Sequence, residues 1–326
     1  MDKPRVCVAL PLADEAMARI AAACDVRMIP ARPGEPPPPE VADAEGVLCG
    51  APYTISQAFL DAAPRLRVVS NFGVGYDNVD LAEMARRGIA VCNTPGVLSG
   101  AVADLTIGLI IAAARRVVDH ALFVRERQWG QAPPAPLGVD LAGKTLGIVG
   151  LGRIGRAVAR RARGFDMRLV YHDTFTDPGD ADRDCVYRPL DDLLREADFV
   201  TIHTNLTPET RHLIGSREFG LMKPTAYLVN TARGPVVDQQ ALAAALRDGR
   251  IAGAALDVLE VEPPPANDPI LDAPNVVVLP HVGSATIETR QAMLEMAIDN
   301  LLAVLRGDEP RACVNPEVLE TARKRR

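Results

Sequence analysis

What this sequence has little of narrows the field first. Its longest apolar stretch, Leu105 to Ala114, is about half of the ~20 residues that a membrane-crossing helix needs. Lysine occurs only at Lys3, Lys144, Lys223 and Lys324, so positive charge rests on arginine. With 36 basic and 42 acidic side chains the net charge is −6, which exerts no bulk pull on nucleic acid or an anionic membrane. The basic end, Arg323 to Arg326, reads as a solvated terminus. There is no C-x-x-C. The six cysteines (Cys7, Cys24, Cys49, Cys92, Cys185, Cys313) are scattered and form no cluster with histidine. That pattern speaks against a metal site and for the reduced thiols of a cytoplasm. No leader-like segment precedes the strand-like run Val6 to Leu10, so the expectation is a soluble cytoplasmic protein. No solenoid repeat is visible. The one biased stretch, Pro33 to Pro39, reads as a surface linker.

A chain of 326 residues, at roughly 150 per domain, suggests two domains. At 48% hydrophobic and 24% charged residues, it has the composition of an ordinary globular protein. Short β-branched runs alternate with helical periodicity, the signature of βαβ units and a parallel sheet. Strands are predicted at 5–10, 46–49, 66–70 and 89–92, then at 145–149, 168–172, 198–202, 226–230, 252–256 and 276–279. Ten strands in two series are too many for one small sheet, so the fold class is α/β with two doubly wound units. Between the series, Ser99 to Arg127 reads as one extended helix with Ser99 as its N-cap. The proline-rich stretch Gln131 to Leu137 ends it.

The strongest local motif is Thr145 to Gly155, an apolar strand followed by G-x-G-x-x-G and then a helix over Arg156 to Arg163. Gly150 permits the tight turn, Gly152 lets the backbone approach a pyrophosphate, and Gly155 lets helix and strand pack closely. The helix N-terminus offers unpaired N–H groups to the phosphates. Asp173 stands 18 residues beyond Gly155, at the end of the next apolar run. A carboxylate there suits the ribose hydroxyls of NAD and repels a 2′-phosphate. No Arg or Lys between Asp173 and Asp182 would welcome that phosphate.

Histidine is the usual proton donor near neutral pH. His120, among arginines on the long helix, reads as solvated, and His212, beside Arg211, as a plain loop residue. His172 reads as a surface or cofactor-side residue. His203 ends a predicted strand, where an open α/β sheet binds its ligand, which suits cofactor contact. His281 also follows a strand and is the candidate acid.

Several blocks, in order along nearly the whole chain, resemble the D-isomer-specific 2-hydroxyacid dehydrogenases. They are Asn71 to Asp80, Asn93 to Leu98 with Ala103-Asp104-Leu105, Asn230 to Gly234 with Val237-Asp238, Leu256-Asp257-Val258 with Glu262-Pro263, and Pro280 to Ala285. The resemblance implies two Rossmann-like domains: a discontinuous, flavodoxin-like substrate domain (1–98 plus 283–326) and an NAD-binding domain (99–282), with the active site in the cleft between them. It also implies a homodimer through the 99–127 helix. Arg233, Glu262 and His281 fall on the family's catalytic positions. Arg153, Ile154, Asp173, Thr204, Thr231, Ala232, Asp257 and Gly283 fall on cofactor positions, alongside Gly150, Gly152, Gly155 and His203. Gly73, Val74 and Gly75, with Arg233, would hold the substrate, and no metal is implied. Asn205 departs from a common proline without consequence for the chemistry.

The chemistry fits those residue types. Reducing a 2-oxo acid builds negative charge on the C2 oxygen, which needs a cation and a proton. His281 would give the proton, and the planar fork of Arg233 would hold carboxylate and carbonyl oxygens. Glu262 would orient His281 and favour its imidazolium. The glycine loop at 73–75 would give N–H groups to the carboxylate. The Asn71 to Asp80 loop is most similar to the glyoxylate/hydroxypyruvate reductase branch, with NADH as cofactor. The stretch Glu40 to Pro64 lacks the phosphate-binding arginine of phosphoglycerate dehydrogenases, and no regulatory domain is expected beyond the last helix. D-Lactate is another family substrate. A formate dehydrogenase would carry Gln at Glu262. The rival from another class is an NADH-sensing corepressor, told apart by binding without turnover.

Overall fold

The computed structural model describes residues 3–32, 36–50, 52–130, 133, 136–174 and 185–324. The first two residues, residues 33–35 of the linker, residue 51, four residues of the 131–137 stretch, the segment 175–184 after Asp173 and the last two arginines lie outside the described residues.

In chain order the elements begin with β1 (Arg5–Val8), α1 (Asp14–Ala23), β2 (Asp25–Met28), β3 (Gly46–Gly50), α2 (Gln57–Ala62), β4 (Val68–Phe72), α3 (Leu81–Arg86) and β5 (Ala90–Cys92). Then come α4 (Ser99–Ala114), α5 (Val117–Arg125), β6 (Thr145–Val149), α6 (Arg153–Ala162), β7 (Arg168–His172), β8 (Cys185–Tyr187), α7 (Leu190–Glu196) and β9 (Phe199–Ile202). The last are α8 (Ser216–Phe219), β10 (Tyr227–Asn230), α9 (Gln239–Arg247), β11 (Gly253–Leu256), β12 (Val276–Val278), α10 (Ile287–Arg306) and α11 (Leu319–Lys324).

The chain divides into two compact units, 1–98 with 286–326, and 99–285. The first holds a five-stranded sheet in the order β2-β1-β3-β4-β5, the second a seven-stranded sheet in the order β12-β11-β10-β9-β6-β7-β8. Every pairing is parallel. Parallel strands need helical crossovers, and these cover both faces, so the central strands are mostly apolar. In the larger sheet Ile148 packs with Val158 of α6 and Ile110 of α4, while Val200 and Leu228 pack with Leu193 and Leu242 on the other face. The strand order reverses between β6 and β9, and a doubly wound sheet binds ligands at the carboxyl ends beside such a switch point.

Four expectations need correction. Two strands are additional: β2 and β8, both at sheet edges. Each is short, and β2 alternates charge with apolar residues, so neither carries the buried run that marks a central strand. The 99–127 helix is two helices. Arg116 adopts a left-handed conformation (φ 50°), and the returning chain occupies the end of α4, where Val139 N donates to Ala114 O at 2.8 Å. Ser99 is the first helical residue of α4 rather than its cap, and the helix after the glycine turn starts at Arg153 rather than Arg156. Among the described residues no helix is long and apolar enough to cross a membrane.

Candidate active site

The cofactor candidates gather at the carboxyl ends of β6, β7 and β9. Gly150 has φ 95°, and a Cβ there would lie 2.7 Å from the His203 carbonyl carbon and 2.9 Å from Thr204 N. A Cβ on Gly155 would lie 2.1 Å from Gly150 O. Neither position has room for a side chain. Gly152 differs: it caps α6 and a Cβ there would touch nothing within 4 Å, which leaves room for a phosphate beside the first turn. Arg153 is exposed and Ile154 half-buried at this helix start. Asp173 Oδ2 accepts the Leu151 N–H at 2.6 Å, so the acid at the end of β7 is tied to the glycine turn. These residues fit a dinucleotide.

His203 is a poor acid. Its ring is buried although the residue keeps some exposed surface, Nε2 lies 2.9 Å from Thr201 Oγ1, and Nδ1 has no partner among the described residues. Burial pushes its pKa down to about 3, so it is neutral near pH 7. Thr204 follows it on the same strand end. His120 is exposed, His172 Nδ1 lies 3.2 Å from Arg188 O, and His212 pairs with the Glu260 carboxylate.

Arg233, Glu262 and His281 follow β10, β11 and β12, three neighbouring strands. Asn230 staples the turn that carries the arginine: its Nδ2 donates to Arg233 O at 2.9 Å and its Oδ1 accepts Ala232 N at 3.0 Å. Arg233 Nη1 donates to Ala232 O at 2.8 Å. A Cβ on Gly234 would lie 1.9 Å from the Leu259 carbonyl, so glycine alone lets this turn press against the segment leading to Glu262. Thr231 is buried, its Oγ1 2.9 Å from Thr106 Oγ1 on α4.

Glu262 Oε1 accepts the Leu259 N–H at 3.0 Å, and His281 Nδ1 donates to Oε2 at 2.7 Å. Burial works to raise the Glu262 pKa. The hydrogen bond and charge of His281, the Leu259 N–H and the charge of Arg233 outweigh it, and the carboxyl lies below its ordinary value. An ionised carboxylate only accepts, so the proton on His281 Nδ1 is fixed and Nε2 is the nitrogen left for proton transfer. His281 has φ 55°, a strained conformation for a residue with a side chain. Asp257 holds that turn. Its backbone oxygen accepts His281 N at 2.9 Å, and its carboxylate accepts Val282 N and Gly283 N, each at 2.7 Å. Burial raises the Asp257 pKa despite these two donors. Asp257 and Gly283, expected as cofactor contacts, are thus bonded to each other.

Gly73, Val74 and Gly75 belong to the other unit, in the turn after β4. Sequence reasoning gave no role to Asn71, Asn93, Thr106 or Asn230. The three asparagines stand within the quoted motifs, but nothing in the spacing says what their amides bond.

The family model for the D-isomer specific 2-hydroxyacid dehydrogenase NAD binding domain matches residues 107–283. Glyoxylate reductase of Thermofilum pendens is 45% identical over 98% of this chain and 97% of its own length. The chain belongs to the D-isomer-specific 2-hydroxyacid dehydrogenase family. Glyoxylate reductase of Korarchaeum cryptofilum is 50% identical over 86% of this chain and 85% of its own. Among solved structures, the NADPH-dependent glyoxylate/hydroxypyruvate reductase of Sinorhizobium meliloti, in complex with NADP and malonate, superposes with a TM-score of 0.88. It is 34% identical and covers 96% of this chain and 97% of its own. As a member of this family the chain is a nicotinamide-dependent oxidoreductase.

Proposed function

We propose that this enzyme reduces glyoxylate or hydroxypyruvate with NADH to the D-2-hydroxy acid. The observation that carries the reading is the Glu262–His281 hydrogen bond at 2.7 Å beside Arg233, a proton donor with a carboxylate behind it and a planar cation near it. When bound, the nicotinamide supplies the hydride. The chain does the rest. His281 Nε2 gives its proton to the C2 oxygen, and Glu262 keeps the imidazolium oriented and charged. Arg233 neutralises charge on the C2 oxygen and holds the carboxylate with its fork. The N–H groups of Val74 and Gly75, in the loop that starts at Gly73, take the carboxylate. Gly150, Gly152, Gly155, Arg153 and Ile154 hold the pyrophosphate, and Asp173 the ribose. His203, Thr204, Thr231, Ala232, Asp257 and Gly283 line the remaining cofactor positions.

Asp173 favours NADH, since a second negative charge on the ribose would meet its carboxylate. Relatives named glyoxylate reductase at 45–50% identity support the choice of a small 2-oxo acid. In this reading residues 99–285 hold the cofactor and carry Arg233, Glu262 and His281. The enzyme works in the cytoplasm as a homodimer, joined through α5. That helix exposes Val117, Val118, Leu122 and Val124, with Trp129 just beyond it.

The test is NADH and NADPH consumption across glyoxylate, hydroxypyruvate, pyruvate and a phosphorylated 2-oxo acid, with light scattering for the oligomer. Turnover of the first two with NADH is expected. His281→Ala should lose turnover while retaining NADH binding. Tight NADH binding without turnover of any 2-oxo acid would contradict the proposal.

A further inference from the structure

In the turn after β4, three consecutive carbonyls point into the protein. Gly73 O accepts the backbone N–H of Thr94 at 2.8 Å. Val74 O accepts Asn93 Nδ2 at 2.7 Å, and Gly75 O accepts Asn71 Nδ2 at 3.4 Å. A trans peptide is planar, with its C=O and the following N–H on opposite sides. Fixing these carbonyls therefore fixes the N–H groups of Val74, Gly75 and Tyr76 in the opposite sense. None of the three has an acceptor among the described residues, and all three residues are half-exposed.

The two amides are themselves held. Asn71 and Asn78 exchange hydrogen bonds of 2.8 and 3.0 Å, Asn78 Nδ2 donates to Tyr53 O at 2.9 Å, and Cys49 Sγ donates to Asn71 Oδ1 at 3.2 Å. Asn93 O accepts Asn300 Nδ2 from α10 at 3.0 Å, and Asn300 Oδ1 accepts Ala312 N at 3.1 Å. Asn71, Asn78, Asn93 and Asn300 are all buried. This is more buried polar machinery than a five-residue surface turn needs, and a satisfied network of this kind fixes one arrangement.

We propose that Asn93 and Asn71 are positioning residues for substrate recognition. By capturing the carbonyls of Val74 and Gly75 they turn a row of N–H groups outward to receive the carboxylate of the 2-oxo acid. The inference rests on the loop's assignment to the substrate carboxylate under the proposed function. Without the amides the peptides can rotate, and a carbonyl then faces the anion.

The test uses the full-length protein saturated with NADH and measures binding of oxamate, a non-reducible 2-oxo acid analogue, by calorimetry, alongside steady-state kinetics. Asn93→Ala removes the donor, and Asn93→Asp removes it while keeping the shape. Each should weaken oxamate and raise KM about tenfold, the scale of one hydrogen bond to a charged group, with kcat changed far less. NADH affinity and Tm should stay near wild type, which a general loss of structure would not allow. Should Asn93→Ala not fold, the isosteric variant decides. Oxamate affinity unchanged in the folded variants, or no oxamate binding to wild type, would overturn the inference. A wild type that binds oxamate with this Asn93 dependence yet turns over no 2-oxo acid would overturn the proposed reaction and leave the anion loop standing.

Discussion

The glycine-bearing turns after β4 and β6, one in each unit, both present backbone N–H groups at the carboxyl end of a parallel strand. They are built by opposite means. After β6 the glycines themselves carry the geometry: Gly150 needs φ 95° and Gly155 sits against Gly150 O where any Cβ would collide. After β4 a Cβ on Gly73 would meet nothing within 4 Å, and the shape is held by amides reaching in from Asn71 and Asn93. One loop is specified by residue type at fixed spacing. The other is specified by hydrogen bonds between residues up to 21 positions apart. The comparison teaches that a short motif can be read only when its own residues supply the constraint.

Substitutions can break this contrast. The largest effect is expected at Arg233, which in the proposed mechanism serves the acid and not the dinucleotide. Arg233→Lys keeps the charge and loses the fork, so kcat/KM should fall by about 10²-fold or more, as on loss of one oxyanion donor. NADH affinity, read by fluorescence titration, should hold. A folded Arg233→Lys enzyme with near-wild-type kcat/KM would assign the guanidinium to structure.

A direct comparison of the two turns comes next. Gly155→Ala forces backbone apart, and overpacking of that kind costs roughly 10- to 100-fold in affinity or stability. NADH binding and Tm should both drop. Gly73→Ala should leave both unchanged. Equal tolerance at the two positions would erase the distinction.

The smallest effect is expected at Asp173. Asp173→Ala removes the repulsion of a 2′-phosphate together with the acceptor for Leu151 N, so the NADH to NADPH ratio of kcat/KM should narrow as NADH itself weakens. Wild-type values that are already equal for the two cofactors would sink this reading of Asp173.

Much of the fold was legible before the structure. The alternation of apolar strand and amphipathic helix is local, and it identified the α/β class and the central strands. The edges were not legible, because β2 and β8 are short and lack the doubly buried run. Nor was the break between α4 and α5. Apolar periodicity runs on past Arg116, and what stops the helix is Val139, more than 20 residues away, bonding Ala114 O. The same division holds for the candidate site. The glycine turn and Asp173 could be argued from spacing and His281 from its place after a strand, whereas Arg233 and Glu262 came only through resemblance. Their approach depends on neighbouring strand ends, on Gly234 pressed against Leu259 and on Asp257 holding a strained His281. None of this leaves a local trace.

The central claim is that Glu262, ionised, keeps a proton on His281 for delivery to the C2 oxygen. The Glu262 pKa lies below its ordinary value, so the carboxylate persists through the neutral range and into mild acid, and on the acid side the pairing is lost as pH falls through that lowered value. Reduction needs His281 protonated, whereas oxidation of the hydroxy acid needs it neutral. The decisive measurement is therefore the pair of pH–rate profiles for kcat/KM, reduction and oxidation, in wild type and Glu262→Gln, with chemistry rate-limiting. The glutamine keeps a hydrogen-bonding group and removes the charge. The account predicts that the alkaline limb of reduction and the onset of oxidation both move to lower pH in Glu262→Gln. Limbs that stay in place in both directions would contradict it.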